Sequence, residues 1–389
     1  MRVYDNKLLR KLFIVLFGIF QILVYLTQSE FLNQNPSLKA HMKYYYLIVV
    51  IAVFIICISE ILKNLRSVIW SVFIIIIEFL MFKYQSYSDF GVTLLAVYFA
   101  FLVDYRTIIL TDMWSRLLSL TFILITFRLG YTNNILDTRY GLRYSFGFIN
   151  PNGLSIFILI LSIELIWLLR KTTWKVLILL VTGYILYFVT KSRTDLYVMI
   201  LVLPFIFKLN SAKPFVKSKF LIVLFTLLPV FLAFISIYLG MNYDPLNHPF
   251  EYDLNTLLSN RLNLARFYFN EYPVTLFGNS LTNLRAALDS GYVSLLIRGG
   301  IISTLVYLIL VTLTLFKYLN VKNTVYKFYV LLLVMYSLVG VTEVTMYQSN
   351  LGLLLFAGII GNFEIDDKNE TDNKVRDEVV EEKKDVPVN

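Results

Sequence analysis

Cysteine occurs once in 389 residues, at Cys57, which excludes an intrachain disulfide. Histidine occurs twice, which excludes a histidine-rich metal site. A Cys-x-x-Cys pair, a P-loop and a Gly-x-Gly-x-x-Gly run are all missing. Charge is scarce too: 16% of residues are Asp, Glu, Lys or Arg, against about 25% in a soluble domain. The net charge of +9 therefore reports on membrane topology before it reports on nucleic acid, and no nucleic-acid partner is expected.

What the chain has in abundance is apolar sequence, 58% of it, with 27 Tyr and 32 Phe. Long apolar runs recur along nearly the whole length and predict an all-α polytopic membrane protein, because backbone groups in lipid need internal partners. Helices are expected near 11–27, 44–62, 67–83, 90–107, 114–130, 153–169, 174–190, 194–209, 219–240, 294–317, 325–341 and 348–361. That makes about 12 spans, with 10 or 11 as alternatives because the fourth is weak and the last short. The basic N-terminus leads into an apolar stretch with no small-residue cleavage site, which reads as an uncleaved first helix. Residues 362–389 are charged and poor in aromatics, the composition of a disordered tail.

The distribution of Lys and Arg favours both termini in the cytoplasm: eighteen fall in the short inside connections and twelve outside, although the outside loops are longer. Arg116 counts among the inside residues, at the start of the fifth span. Eight of the twelve outside cations are arginine, Arg139, Arg143, Arg193, Arg261 and Arg266 among them. Lysine suffices as a topology signal. Arginine's planar fork suits bidentate capture of phosphate or carboxylate, so an anionic ligand on the outer face is one reading. Pairing with loop carboxylates such as Asp137, Asp253 or Glu271 is the other.

The longest connection, 241–293, is expected to be a large extracytoplasmic loop with a function. From Asp253, a candidate cap, one helix is predicted with Leu254, Leu258, Leu262, Ala265 and Phe269 on a single stripe. Arg261 and Arg266 flank that stripe, which suits either a helix lying on the outer leaflet or one packed on the other spans. Tyr272-Pro273 ends it, Gly278 permits a turn, and a short helix at 281–288 carries Arg285. Asp289 then stands at the mouth of the next span, as a functional carboxylate or as a helix cap. Glu343 lies at the outer end of a later span and could reach the same cavity, Glu78 is ambiguous, and Glu164 reads as a packing or hydrogen-bonding residue. Asn150-Pro151-Asn152-Gly153 reads either as a plain helix start or as a polar turn facing a cavity.

Taken in order, RYSFGFINPNGLSIF, FVTKSRTDLYV, SNRLNLA, LFG and LDSGYVSLLIRGG resemble the Wzy-type polysaccharide polymerases and the related O-antigen ligases. The resemblance covers roughly residues 110–360; each motif alone is weak, and their order gives the specificity. It implies an architecture similar to the GT-C class of glycosyltransferases, in the cell membrane, acting without metal or other cofactor. The implied partners are an undecaprenyl-pyrophosphate-linked oligosaccharide, membrane lipid, and flippase and chain-length regulator proteins. In that pattern Arg193 and Arg261 contact the pyrophosphate, with Arg266, Arg143 and Arg139 supporting them. Asp289 and Glu343 become the catalytic candidates, and Asn150, Asn152 and Tyr292 the glycan contacts. Ligases commonly show a histidine where this chain has Asp289, a departure that favours a polymerase. A ligase-type transferase and a flippase or transporter of lipid-linked oligosaccharide are the alternatives.

Overall fold

The computed structural model describes residues 7–39, 41, 105–134, 142–169, 171–211, 213–281 and 288–344, together with Val68, Val72 and Ile76. The expected spans over 44–62, 67–83, 90–107 and 348–361 lie wholly or nearly wholly outside these residues. So do Cys57, Glu78, Arg139, Arg285 with its short helix, and the tail 362–389.

Among the described residues the chain is all-helical, without strands. In chain order the helices are α1 (Lys7–Leu26), α2 (Glu30–Asn33), α3 (Tyr105–Arg128), α4 (Pro151–Leu168), α5 (Thr172–Tyr184), α6 (Arg193–Lys208), α7 (Lys219–Asn242), α8 (Pro249–Leu257), α9 (Arg261–Glu271), α10 (Gly291–Ser294), α11 (Gly300–Tyr318) and α12 (Thr324–Val339). Two π-helical turns, Ile185–Val189 and Leu295–Gly299, extend α5 and join α10 to α11. Among the described residues, five helical stretches are long and apolar enough to cross a membrane: Arg106–Arg128, Pro151–Leu168, Thr172–Val189, Lys219–Asn242 and Gly291–Tyr318. Ile14–Leu26 and Thr324–Val339 are shorter apolar helices.

The apolar residues sort by neighbour rather than by a simple stripe. α4 and α12 are buried almost all round, as helices at the centre of a bundle are. α5 and α7 turn Leu180, Tyr184, Phe220, Phe231 and Phe234 outward. So much exposed apolar surface suits hydrocarbon, not water. α1 packs on α3, α6 on α12, and α9 on α7. The last contact is close: a Cβ at Gly240 of α7 would stand 2.8 Å from the Ala265 Cβ of α9.

The loop helix differs from its expected form. The stripe from Leu254 to Phe269 predicts one helix, and the chain forms two, broken where Ser259 and Asn260 take φ of 60° and 67°. Asp253 therefore lies inside α8 and caps nothing. Asn255 makes the break: its Nδ2 donates to Asn260 Oδ1 at 2.9 Å, and its Oδ1 accepts from Leu262 N and Asn263 N at 3.0 and 3.2 Å. It thus satisfies two of the backbone donors that a helix start leaves open. Further on, Gly278 (φ +89°) presses against the π-turn, where any Cβ would fall 1.9 Å from Arg298 O. The loop is pinned there by Asn279 N donating to Ile297 O at 3.0 Å.

Candidate functional site

Six segments end at one place. α4 starts there with Asn152, α6 with Ser192 and Arg193, and α9 with Arg261. α12 ends just before Glu343, the π-turn after α5 runs into Lys191, and Asp289 precedes α10. Together with Arg143, Thr194 and Ser259 they line an open pocket of about 480 Å³. Helix N-termini carry partial positive charge, so the ends of α4, α6 and α9 add to the arginines' field.

The local chemistry explains each placement. Asn150 caps α4, its side chain accepting from Gly153 N at 2.6 Å, and Pro151 occupies the first turn. That frees Asn152 to bridge: its Oδ1 accepts from Arg143 Nη2, and its Nδ2 donates to Glu343 Oε1 at 2.8 Å. Arg143 Nε donates to Thr190 O at 2.7 Å. Arg261 is buried and divides its guanidinium among Glu343 Oε1 at 2.6 Å, Thr342 O at 2.5 Å and Leu258 O at 3.1 Å. Behind the pocket Asp195 is fully buried, with Ser192 Oγ donating to its Oδ2 at 2.6 Å and Ser155 Oγ donating to the same atom. Burial pushes Glu343 up to about 8 against the pull of Arg261, with the Asp289 and Asp195 carboxyls adding to the rise. Near neutral pH the lining is consequently more positive than a plain count of its carboxyls gives.

A second cavity shares a wall with this one. It holds about 820 Å³ and is lined by Leu186, Tyr187, Phe188, Leu196 and Tyr197 together with Lys191, Ser192 and Arg193. Tyr187, Phe188 and Tyr197 are more than half exposed, so this groove opens to the apolar surround of the bundle. A basic pocket and an apolar groove therefore meet at three consecutive residues. Lys191 stands at the junction with φ of 49°, a left-handed conformation uncommon for lysine.

Of the residues expected from sequence, Arg143, Arg193, Arg261, Asn152, Asp289 and Glu343 come together. Three do not. Tyr292 is buried in the core, its hydroxyl donating to Ser337 O at 2.9 Å, because the start of α10 turns it toward α12. Asn150 is occupied by capping. Arg266 is exposed and donates to Met241 O at the end of α7, on the far side of α9 from Arg261. Ser290 stands at the N-cap position of α10 and its side chain makes no cap hydrogen bond. Nor does Arg261 lie on a membrane surface; the break before α9 aims it inward. Lys191, Ser192, Asp195 and Asn255 were missed. Lys191 and Asp195 flank the Ser192-Arg193 pair within the quoted run FVTKSRTDLYV, so KSRTD held the signal.

Comparison with known proteins finds no family model, no curated protein and no solved structure that matches the chain.

Proposed function

We propose that this chain is a polytopic membrane glycosyltransferase, a polysaccharide polymerase. It joins oligosaccharide repeat units carried on undecaprenyl pyrophosphate, at the outer face of the cytoplasmic membrane, with both termini inside. One observation carries the reading: the arginine-lined pocket and the apolar groove share Lys191, Ser192 and Arg193. A ligand that fills both has an anionic head and a hydrocarbon tail.

In this reading the acceptor hydroxyl attacks the anomeric carbon of the donor sugar. The bond to the phosphate oxygen breaks, and the leaving pyrophosphate keeps the electron pair. Guanidiniums fixed in advance stabilise that growing charge. Arg193 suits this role because it stands exposed where pocket and groove meet, while Arg261, engaged by three acceptors, acts partly as a frame. Asp289 takes the hydroxyl proton as general base. Glu343, held by Arg261 and Asn152, positions the pocket.

The test is purified protein in lipid nanodiscs supplied with a synthetic undecaprenyl-pyrophosphate repeat unit. A ladder of lengthening lipid-linked glycan is expected. Transfer of a single unit to a different acceptor would move the assignment to a ligase. Intact donor carried across a vesicle without reaction would replace it with a transporter.

A further inference from the structure

Away from the pocket, the interface of α1, α3 and α4 holds a cluster of ionisable groups with no part in the proposed chemistry. Arg116 of α3 is fully buried, as are Asp112 of α3, Glu164 of α4 and Tyr25 of α1. Sequence position suggested Arg116 as a cation at a span boundary. Instead it lies mid-helix, its guanidinium 4.4 Å from the Tyr25 ring centroid and 5.4 Å from that of Phe157. Tyr336 of α12 faces the same cluster.

The two carboxyls are not equivalent. Asp112 accepts from Arg116 Nε at 2.7 Å and from the Tyr25 hydroxyl. Glu164 Oε1 lies 3.4 Å from the same Nε, an ion-pair contact outside hydrogen-bond geometry. Asp112 and Arg116 both lie against the Glu164 carboxyl, yet neither Glu164 oxygen meets hydrogen-bond geometry with a partner among the described residues, and neither does Arg116 Nη1. The same holds for both amide atoms of Gln21 and for Ser119 Oγ, all of them buried. These lie along one seam: Ser115 Oγ donates to Gly18 O at 3.2 Å, and Gln21 and Ser119 are each one turn further on. One guanidinium thus faces two carboxyls, and one of those carboxyls lacks the hydrogen bonds that an anion needs away from water.

We propose that Glu164 is a proton-binding site inside the bundle, reached by water held in the seam from Gln21 and Ser119 to Arg116. A proton from water adds to one Glu164 oxygen. The site becomes neutral, with Asp112 left as the anion of Arg116. The protonated carboxyl also gains an O–H donor, and buried water with two to four polar neighbours satisfies the remaining atoms. An ionisable group at such a depth is costly unless it is paired or neutral.

Infrared spectroscopy of the protein in lipid tests this. Glu343→Gln serves as the background so that the pocket carboxyl contributes nothing. At neutral pH a protonated-carboxyl carbonyl band is expected that shifts in D2O and is lost on adding Glu164→Gln. In that background Glu164→Gln should leave the Tm unchanged, because it replaces a neutral acid by a neutral amide. Asp112→Asn should lower the Tm, because it removes the anion that Arg116 and Tyr25 require. Absence of the band, or a band that Glu164→Gln leaves at full intensity, overturns the proposal. So does a Tm that falls further for Glu164→Gln than for Asp112→Asn, which would make Glu164 the anion. A site that takes a metal cation instead would show no band and a Tm raised by sodium.

Discussion

Arg193 and Arg261 bring the same charge to one pocket and differ in what else depends on them. Arg193 is exposed at the junction of pocket and groove, whereas Arg261 is buried and ties the start of α9 to the end of α12. Arg193→Ala should therefore weaken binding of a pyrophosphate lipid by about 1.5–3 kcal/mol and abolish polymer with a smaller loss of Tm than Arg261→Ala. Arg261→Ala should abolish polymer and also destabilise the fold by about 1–3 kcal/mol, since buried acceptors are left unpaired. Lysine at 261 should rescue neither, because one ammonium cannot meet three acceptors spread around a planar fork. Calorimetry beside a binding assay separates the two arginines, and equal loss of Tm in both would refute the division of roles. Asp289→Asn should keep donor binding while turnover falls about 10²–10⁴-fold, the usual contribution of a positioned base; near-normal polymerisation would remove that assignment. For Glu343 the folded pKa lies above the ordinary 4.5, so the stability it contributes is present in acid and is lost as pH rises from there to about 8. Tm against pH should slope downward across that window in the parent chain and flatten in Glu343→Gln.

Among the elements, the break between α8 and α9 decides where Arg261 points, and Asn255 holds the break. Asn255→Ala should cost about 1 kcal/mol as a lost helix cap. Its effect on polymerisation should be far larger, because Arg261 then follows a helix that is free to straighten. Activity that falls only in step with stability would argue against this. The same break shows what the sequence could not disclose. Apolar runs such as those of α4 and α7 were legible because length and composition alone select a membrane helix. The helix start at Asn150–Gly153 was legible as one of two readings because a cap is a local rule, but Asn150, expected to contact glycan, is spent on that cap. Leu254, Leu258 and Leu262 fit one continuous helix equally well, and only the tolerance of asparagine for a left-handed backbone at Asn260 hinted otherwise. Tyr292 was misread because an aromatic at a helix mouth serves a core and a ligand alike, and its direction is set by α12, far along the chain. The Asp112–Glu164 relation was invisible for a similar reason, being a contact between helices whose sequences each read as ordinary spans.

For the whole molecule, the proposed orientation puts the pocket outside and the loops at Lys171 and Lys213 inside. In a Cys57→Ser background, Asp253→Cys should react with an impermeant maleimide in intact cells, and Lys171→Cys should react only after lysis. The reverse pattern would put the pocket on the cytoplasmic face and end the polymerase reading. The pocket also draws its wall from distant parts of the described chain, Arg143 from before α4 and Glu343 from beyond α12. At about 5–20 residues per second, roughly 10–40 s of translation separates those two residues. A nascent chain that has already inserted α4 and α6 thus displays arginines to the lipid with no carboxyl end to complete them. On the proposed function, such a chain holds an anionic lipid before it can turn one over.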